Sequence, residues 1–158
     1  MASKDKPLLI ISRDALLEAL QKAGSGPVFR LVASLGRQGH RIILTAAEPD
    51  RWVPTRRNVD QVLVEQQTLM KSARAAGGDI DGVYYVPRSL LTQDRNRREA
   101  LEDILRRYQL GPESVILLSS SAPFLKAAHR LGIDSREIAP PGKPGRALLA
   151  ELEGLNAG

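Results

Sequence analysis

Residues 8–14 read Leu-Leu-Ile-Ile-Ser-Arg-Asp, a short apolar run that ends abruptly in polar side chains. Four consecutive aliphatic residues are typical of a strand that is buried on both faces of a parallel sheet. Similar strand-like runs recur at 41–45, 80–86 and 115–118. Each is separated from the next by segments whose apolar residues follow the period of a helix. The opening stretch is therefore predicted to be the first strand of an alternating β/α chain.

Helices are predicted between these strands from periodicity and from their end signals. The periodic segments are 28–35, 58–73, 98–108 and 124–131. Pro123 suits the first turn of the last of these helices, and Gly132 ends it. A last strand is expected near Ile133 or Ile138, followed by a short helix around 148–152. This alternation predicts a Rossmann-like α/β fold in three layers, with a parallel sheet of about five strands and helices on both faces.

Length and composition limit what the chain can be. Its 158 residues fit a single domain spanning 1–158. With 42% hydrophobic residues the chain can bury a core, and the absence of cysteine excludes disulfides and thiolate metal sites. No apolar run approaches the roughly 20 residues that span a bilayer, and residues 1–7 are polar. We therefore expect a soluble cytoplasmic protein without a membrane partner.

The net charge of +5 has three possible interpretations: a solvated basic surface, an anion or phosphate site, and a nucleic-acid interface. The charge is dispersed, since six arginines between residues 88 and 107 face four acidic residues in the same segment. Three Tyr, two Phe and one Trp provide few rings on which bases could stack. The solvated surface is therefore favoured over the anion site, and nucleic acid is the least favoured partner.

Candidate site residues follow from the topology. In open parallel sheets, ligands bind beyond the carboxyl ends of the strands, near the switch point. Polar residues follow the predicted strands at Ser12–Asp14, Thr45, Pro87–Arg88 and Ser119–Ser121. We expect the site there.

Each candidate also has a structural interpretation. Asp14 is either a remnant acid or a helix cap. Thr45 binds an anion or simply ends its strand, and Ser119 to Ser121 form either an anion-binding nest or a helix N-cap. Arg97, with Arg88 and Arg95, either clamps a phosphate or contacts water. Tyr84 and Tyr85 should lie on opposite faces of their strand.

Several segments together resemble a known family. Residues 11–16, Ile-Ser-Arg-Asp-Ala-Leu, are similar to an Asp-Arg-Asp-Gly-Thr-Leu opening motif, and residues 39–45 to a glycine-led strand ending in a phosphate-binding threonine. Residues 77–87 are similar to a Gly-Gly…Tyr-Tyr-Cys-Pro-His region, 115–133 to a fourth strand with its Gly-Asp loop, and 141–145 to a Gly-Lys-Gly turn. The chain thus resembles the haloacid dehalogenase (HAD) superfamily of phosphatases, especially the heptose-bisphosphate and histidinol-phosphate phosphatases. The likeness covers a core at about 8–153 and implies a HAD-like domain with no sizeable cap domain.

Several positions at which the resemblance implies a chemical role carry a different residue in this chain. It implies an aspartate nucleophile at the position of Ser12, a second acid at Asp14, and a magnesium-binding Asp at the position of Ser120. A further acid is expected where this chain has Phe124, and the zinc loop of the heptose phosphatases has lost its cysteines. Arg13, Asp14 and Thr45 match the family pattern. The family's lysine has no clear equivalent, with Arg95 or Arg97 nearest.

Two neutral hydroxyls do not replace two carboxylates around a hard dication, and a serine is a weak nucleophile without a base. We therefore predict a phosphatase-like protein that has lost catalysis, holds neither magnesium nor zinc, and binds a protein partner or a small anionic ligand. Ser12 and Asp14 are its vestigial catalytic positions. The predicted anion-binding residues are Arg13, Thr45, Arg97, Ser119 and Ser120. Two alternatives stay open: a magnesium-dependent phosphatase of a small sugar or histidinol-type phosphate, and nucleic-acid binding.

Overall fold

The computed structural model describes residues 6–23, 25–47, 56–78, 80–86, 93–139 and 147–157. Pro87, Arg88 and the 141–145 turn, named above, lie outside the described residues. Strands and helices alternate along the chain. They are β1 Leu8–Ser12, α1 Arg13–Ala23, α2 Ser25–Arg37, β2 Ile42–Ala47, α3 Arg56–Ala75, β3 Gly82–Val86, α4 Gln93–Tyr108, β4 Val115–Ser119, α5 Ala122–Leu131, β5 Asp134–Glu137 and α6 Leu148–Ala157. A 3-10 turn at Pro112–Ser114 precedes β4.

The five strands form one parallel sheet in the order β3-β2-β1-β4-β5. β1 is central, with β2 on one side and β4 on the other. Ser12 pairs with Thr45 of β2, and Ile11 pairs with Leu118 of β4. The chain first builds the sheet outward from β1 through β2 and β3, and then returns to β4 on the opposite side. The switch point therefore lies at the carboxyl end of β1.

Both faces of the sheet are covered, which explains the unbroken apolar run of β1. Leu9 and Ile11 belong to a buried cluster shared with α1, α2, α3 and α6. Leu8 and Ile10 point the other way, into a cluster shared with α4 and α5. The predicted three-layer α/β fold is thus confirmed. Within the described ranges, no helix has the length and hydropathy needed to cross a membrane.

One helix was not predicted. α1 starts at Arg13, immediately after β1, whereas the periodic reading placed the first helix at 28–35. Its sequence contains Ala-Leu-Leu-Glu-Ala-Leu at 15–20, all strong helix formers. Ala15 and Leu16 are buried against the sheet. The residues matched to the family's Gly-Thr are therefore part of the first turns of a packed helix.

Candidate functional site

Hydroxyl-bearing residues line the carboxyl edge at the centre of the sheet. Ser12 of β1 pairs with Thr45 of β2. On the other side of β1, Ile11 pairs with Leu118 of β4, and the next residue of each strand, Ser12 and Ser119, ends that strand. Because side chains alternate along a strand, all three hydroxyl residues face the side covered by α4 and α5. Thr45 is 8% exposed and Ser119 is 5% exposed. The structure therefore brings three of the predicted site residues together at the switch point.

The serine hydroxyls at this edge accept backbone hydrogen bonds. The Ser12 Oγ accepts from the N–H of Ala15 at 3.4 Å, at the start of α1. The Ser119 Oγ accepts from the N–H of Ser121 at 3.0 Å, and the Ser121 Oγ accepts from the N–H of Phe124 at 3.5 Å, which makes Ser121 the N-cap of α5. Ser120 lies between them, half-buried. These contacts are the cap and turn contacts expected of serines that start helices.

Arg13 and Asp14 open α1 with very different exposure. The Arg13 guanidinium is buried and donates from Nη1 to the Oε1 of Gln66 at 2.9 Å. Gln66 in turn donates to the Tyr85 hydroxyl at 3.1 Å, so the network joins α1, α3 and β3. The Asp14 side chain is 68% exposed, and its Oδ1 lies 3.4 Å from the Arg13 Nε. Arg13 is thus engaged within the fold, whereas Asp14 extends into solvent at the head of α1.

Phe124 occupies the position at which the family resemblance implies an acid. It stands in the first turn of α5, is 7% exposed, and belongs to the apolar cluster beneath α4 and α5. The Arg97 guanidinium carbon lies 5.8 Å from the centre of its ring. This distance is within the range of a cation–π contact. Arg97, predicted as an anion clamp, therefore packs at the contact between α4 and α5.

The described donors at this edge do not fit magnesium. Mg²⁺ is bound through carboxylate oxygens and water in near-octahedral geometry. Ser12, Ser119 and Ser120 offer neutral hydroxyls, and the exposed Asp14 carboxylate is shared with Arg13. Across the described residues, no group of three or more His, Cys, Asp or Glu side chains is placed to hold a metal ion.

A second polar cluster lies at the outer edge of the sheet, on β3. The Tyr84 hydroxyl donates to the Asp103 Oδ2 at 2.6 Å, and Arg107 donates to the same oxygen at 3.1 Å. Burial, and then this hydrogen bond, raise the pKa of Tyr84 to about 12. The hydrogen bond from Tyr84 lowers the pKa of Asp103. Tyr84 thus meets α4 while Tyr85 meets α3, which confirms that the two rings face opposite sides.

Comparison with known proteins places the fold. No sequence-family description and no curated protein sequence matches the chain. Among solved structures, it is similar to the D,D-heptose 1,7-bisphosphate phosphatase of B. bronchiseptica complexed with magnesium and phosphate, with a TM-score of 0.67, 17% identity, and coverage of 94% of this chain and 97% of that one. The corresponding enzyme of Burkholderia thailandensis gives a TM-score of 0.60 at 16% identity, covering 95% and 98%.

A predicted HAD-like phosphatase from Mesorhizobium loti is also similar, with a TM-score of 0.61, 14% identity, and coverage of 99% of this chain and 89% of that one. At these identities the likeness concerns the fold. The resemblance to HAD phosphatases seen in the sequence is confirmed at that level, because the whole layered arrangement is shared along nearly the full length of both chains.

Proposed function

We propose that this chain, which has the fold of HAD phosphatases, no longer hydrolyses phosphate esters and acts by binding a protein partner or a small anionic ligand. The observation that supports the proposal is the engagement of the edge hydroxyls in backbone hydrogen bonds. Ser12 stands at the nucleophile position, and its Oγ accepts from the amide of Ala15. Ser119 and Ser121, on either side of the metal-ligand position, hold the turn that starts α5.

A serine nucleophile needs a base within hydrogen-bond reach. Both histidines of the chain lie elsewhere. His40 is buried, and its Nδ1 lies 2.8 Å from the carbonyl oxygen of Pro7, at the amino end of β1 and therefore at the opposite edge from Ser12. His129 lies in the last turn of α5, on the exposed side. Neither imidazole is placed to activate Ser12.

Asp14, the second acid that the family resemblance implies, lies at this edge at the start of α1. Its exposure and its pairing with Arg13 suit a carboxylate in the first turn of a helix, where a negative charge is favoured by the helix dipole. The family resemblance implies further carboxylates that hold magnesium against a phosphate, and this chain has Ser12 and Ser120 at those positions. The arrangement therefore supports binding rather than phosphoryl transfer.

The proposal is tested by assaying phosphate release from small sugar phosphates and histidinol phosphate in the presence of magnesium. We expect the wild-type protein and the Asp14→Asn variant to release phosphate at the rate of the enzyme-free control. Asp134→Asn is a matched control, because Asp134 is also exposed and paired with an arginine, Arg136, but lies on an edge strand. Turnover by the wild type and by Asp134→Asn that disappears in Asp14→Asn would overturn the proposal.

A Ser12→Asp/Ser120→Asp variant belongs in the same assay. It returns carboxylates to the nucleophile and metal-ligand positions while Phe124, Ala15 and Leu16 stay packed in the fold. We expect this variant to gain little turnover, since the rest of the family's pattern is still replaced.

A further inference from the structure

A shallow groove lies between α4 and α5, on the outside of the layer that covers the site. It has a volume of about 240 Å³. The described residues that line it, here called the α4–α5 groove, are Arg95, Arg98, Pro123, Lys126, Ala127 and Arg130. Four of these six residues are cationic. All four cations are exposed, whereas Ala127 is buried at the bottom.

The sequence spacing on α5 creates a stripe. Pro123, Lys126, Ala127 and Arg130 follow one another at i, i+3, i+4 and i+7, so they share one face of the helix. The stripe is about 10 Å long at 1.5 Å per residue. Lys126 and Arg130 stand one turn apart beside an apolar floor made by Pro123 and Ala127. The groove therefore combines a hydrophobic floor with a cationic rim.

The two sides of the groove differ in how their charge is balanced. On α4, Arg95 pairs with Glu99 at 2.9 Å and Arg98 pairs with Glu102 at 3.4 Å. On α5, no ion pair among the described residues involves Lys126 or Arg130. Exposed ion pairs such as those of α4 contribute only about 0–1 kcal/mol, so they exchange partners readily. An anionic partner would therefore meet two uncompensated cations and two that can be recruited.

We propose that the α4–α5 groove binds an acidic amphipathic segment of a protein partner. Its carboxylates, one helical turn apart, would face Lys126 and Arg130, while an apolar side chain covers Pro123 and Ala127. This inference rests on the proposed binding function and names its partner class.

Three features favour a protein segment over other anions. A small phosphate site would need inward-facing, largely buried donors, whereas the side chains of Arg95 and Arg98 are 69% and 52% exposed. Single-stranded nucleic acid would need stacking rings, and no aromatic residue is among the described residues that line the groove. A hydrophobic floor instead suits the apolar face of a helix laid in a groove.

The test uses a fluorescently labelled synthetic peptide with glutamates one turn apart and leucines along the adjoining face. Anisotropy titrations compare it with a peptide of the same composition in permuted order and with a single-stranded oligonucleotide. We expect saturable binding of the amphipathic peptide, weakened about tenfold by Lys126→Glu/Arg130→Glu. The matched control is Lys71→Glu/Arg74→Glu on exposed α3 positions, which changes the net charge equally and should weaken binding less than twofold.

Equal weakening by the two double variants, equal affinity for the permuted peptide, or tighter binding of the oligonucleotide at the same groove would overturn the inference. So would a failure of the wild type to bind the amphipathic peptide. Lys126→Gln/Arg130→Gln provides a milder variant in case charge reversal unfolds α5, which circular dichroism reports. The phosphate-release assay tests the proposed function separately. If the peptide does not bind and no phosphate is released, the inference about the groove is wrong, while the proposed loss of catalysis stands.

Discussion

Replacing Phe124 by alanine tests whether the position at which the family resemblance implies an acid is part of the core. Phe124 is 7% exposed and packs in the cluster between the sheet and α4 and α5. Truncating a buried phenylalanine to alanine costs about 3–5 kcal/mol, because a cavity remains. The residue lies in the first turn of its helix with a small exposed edge, so we expect the lower end of this range, about 3 kcal/mol.

The Arg97 guanidinium over the Phe124 ring adds a smaller contribution. Such a contact contributes about 0.5–1 kcal/mol at a partly exposed site, so the total cost of Phe124→Ala is about 3–4 kcal/mol. Natural domains are stable by about 5–15 kcal/mol, so the variant should still fold. Phe124→Leu, which keeps most of the apolar volume, should cost only about 1 kcal/mol.

Urea unfolding followed by far-UV circular dichroism measures these differences. A double-mutant cycle between Phe124→Leu and Arg97→Gln isolates the ring–guanidinium term, expected at about 0.5–1 kcal/mol. A loss below about 1 kcal/mol for Phe124→Ala would refute the reasoning, since a side chain so lightly held is not part of a core. If the Phe124→Ala variant folds with unchanged stability, position 124 is not needed for packing and could carry a functional side chain.

Three further substitutions probe the polar contacts of the fold. Tyr84→Phe removes a hydrogen bond to the Asp103 carboxylate and should cost about 1–2 kcal/mol in urea unfolding, less than for a fully buried charged pair because Asp103 keeps its contact with an arginine. Because the pKa of Tyr84 is raised to about 12 in the fold, from about 10 when unfolded, the stability from this shift is fully present below pH 10 and is lost as the pH rises toward 12. Unfolding at a series of alkaline pH values should show this loss in the wild type and a smaller one in Tyr84→Phe; identical profiles would contradict it. Gln66→Leu leaves a donor of the buried Arg13 guanidinium without its acceptor and should cost about 1–3 kcal/mol in thermal or urea unfolding, most of which Arg13→Met should restore in the double variant. Ser121→Ala removes the N-cap of α5 and should cost about 1 kcal/mol, against a few tenths for Ser121→Gly; equal losses in the two variants would argue against a capping hydroxyl.

The sequence was sufficient for the layers of the fold because its strands are buried on both faces. Runs such as 8–11 and 115–118 are continuous and aliphatic, so they stand out from the periodic helices. β5 was located only by its flanks. Its residues Asp134–Glu137 are polar, as befits an edge strand with one neighbour, while Ile133 and Ile138 on either side are buried.

α1 escaped prediction because nothing separates it from β1. Ser12 ends the strand and at the same time accepts the hydrogen bond that starts the helix, so no turn residues mark the boundary. Reading the strong helix formers at 15–20 together with Ser12 as a cap would have located it. The family resemblance instead matches residues 11–16 to an opening motif that implies catalytic residues.

The candidate site was predictable as a place but not as a set of contacts. Topology alone puts Ser12, Thr45 and Ser119 at one edge, because parallel strands end together there. The burial of Arg13 against Gln66 depends on α3, which lies some 50 residues further along the chain, and no local pattern encodes such a contact. The α4–α5 groove likewise depends on the packing of two helices against each other, and the charges of either helix alone do not predict it.

Whether the carboxyl edge can hold magnesium is tested most directly by a magnesium titration of isotope-labelled protein in the presence of inorganic phosphate, followed by NMR at the backbone amides of Ser12, Thr45 and Ser119. The family resemblance implies carboxylates where this chain has Ser12 and Ser120, and the Ser12 hydroxyl accepts a backbone hydrogen bond at the start of α1. We therefore expect no saturable magnesium-dependent shift at these amides. Saturable shifts in the wild type that vanish in Ser12→Ala, with the fold intact, would show a working metal site and contradict the proposed loss of phosphatase chemistry.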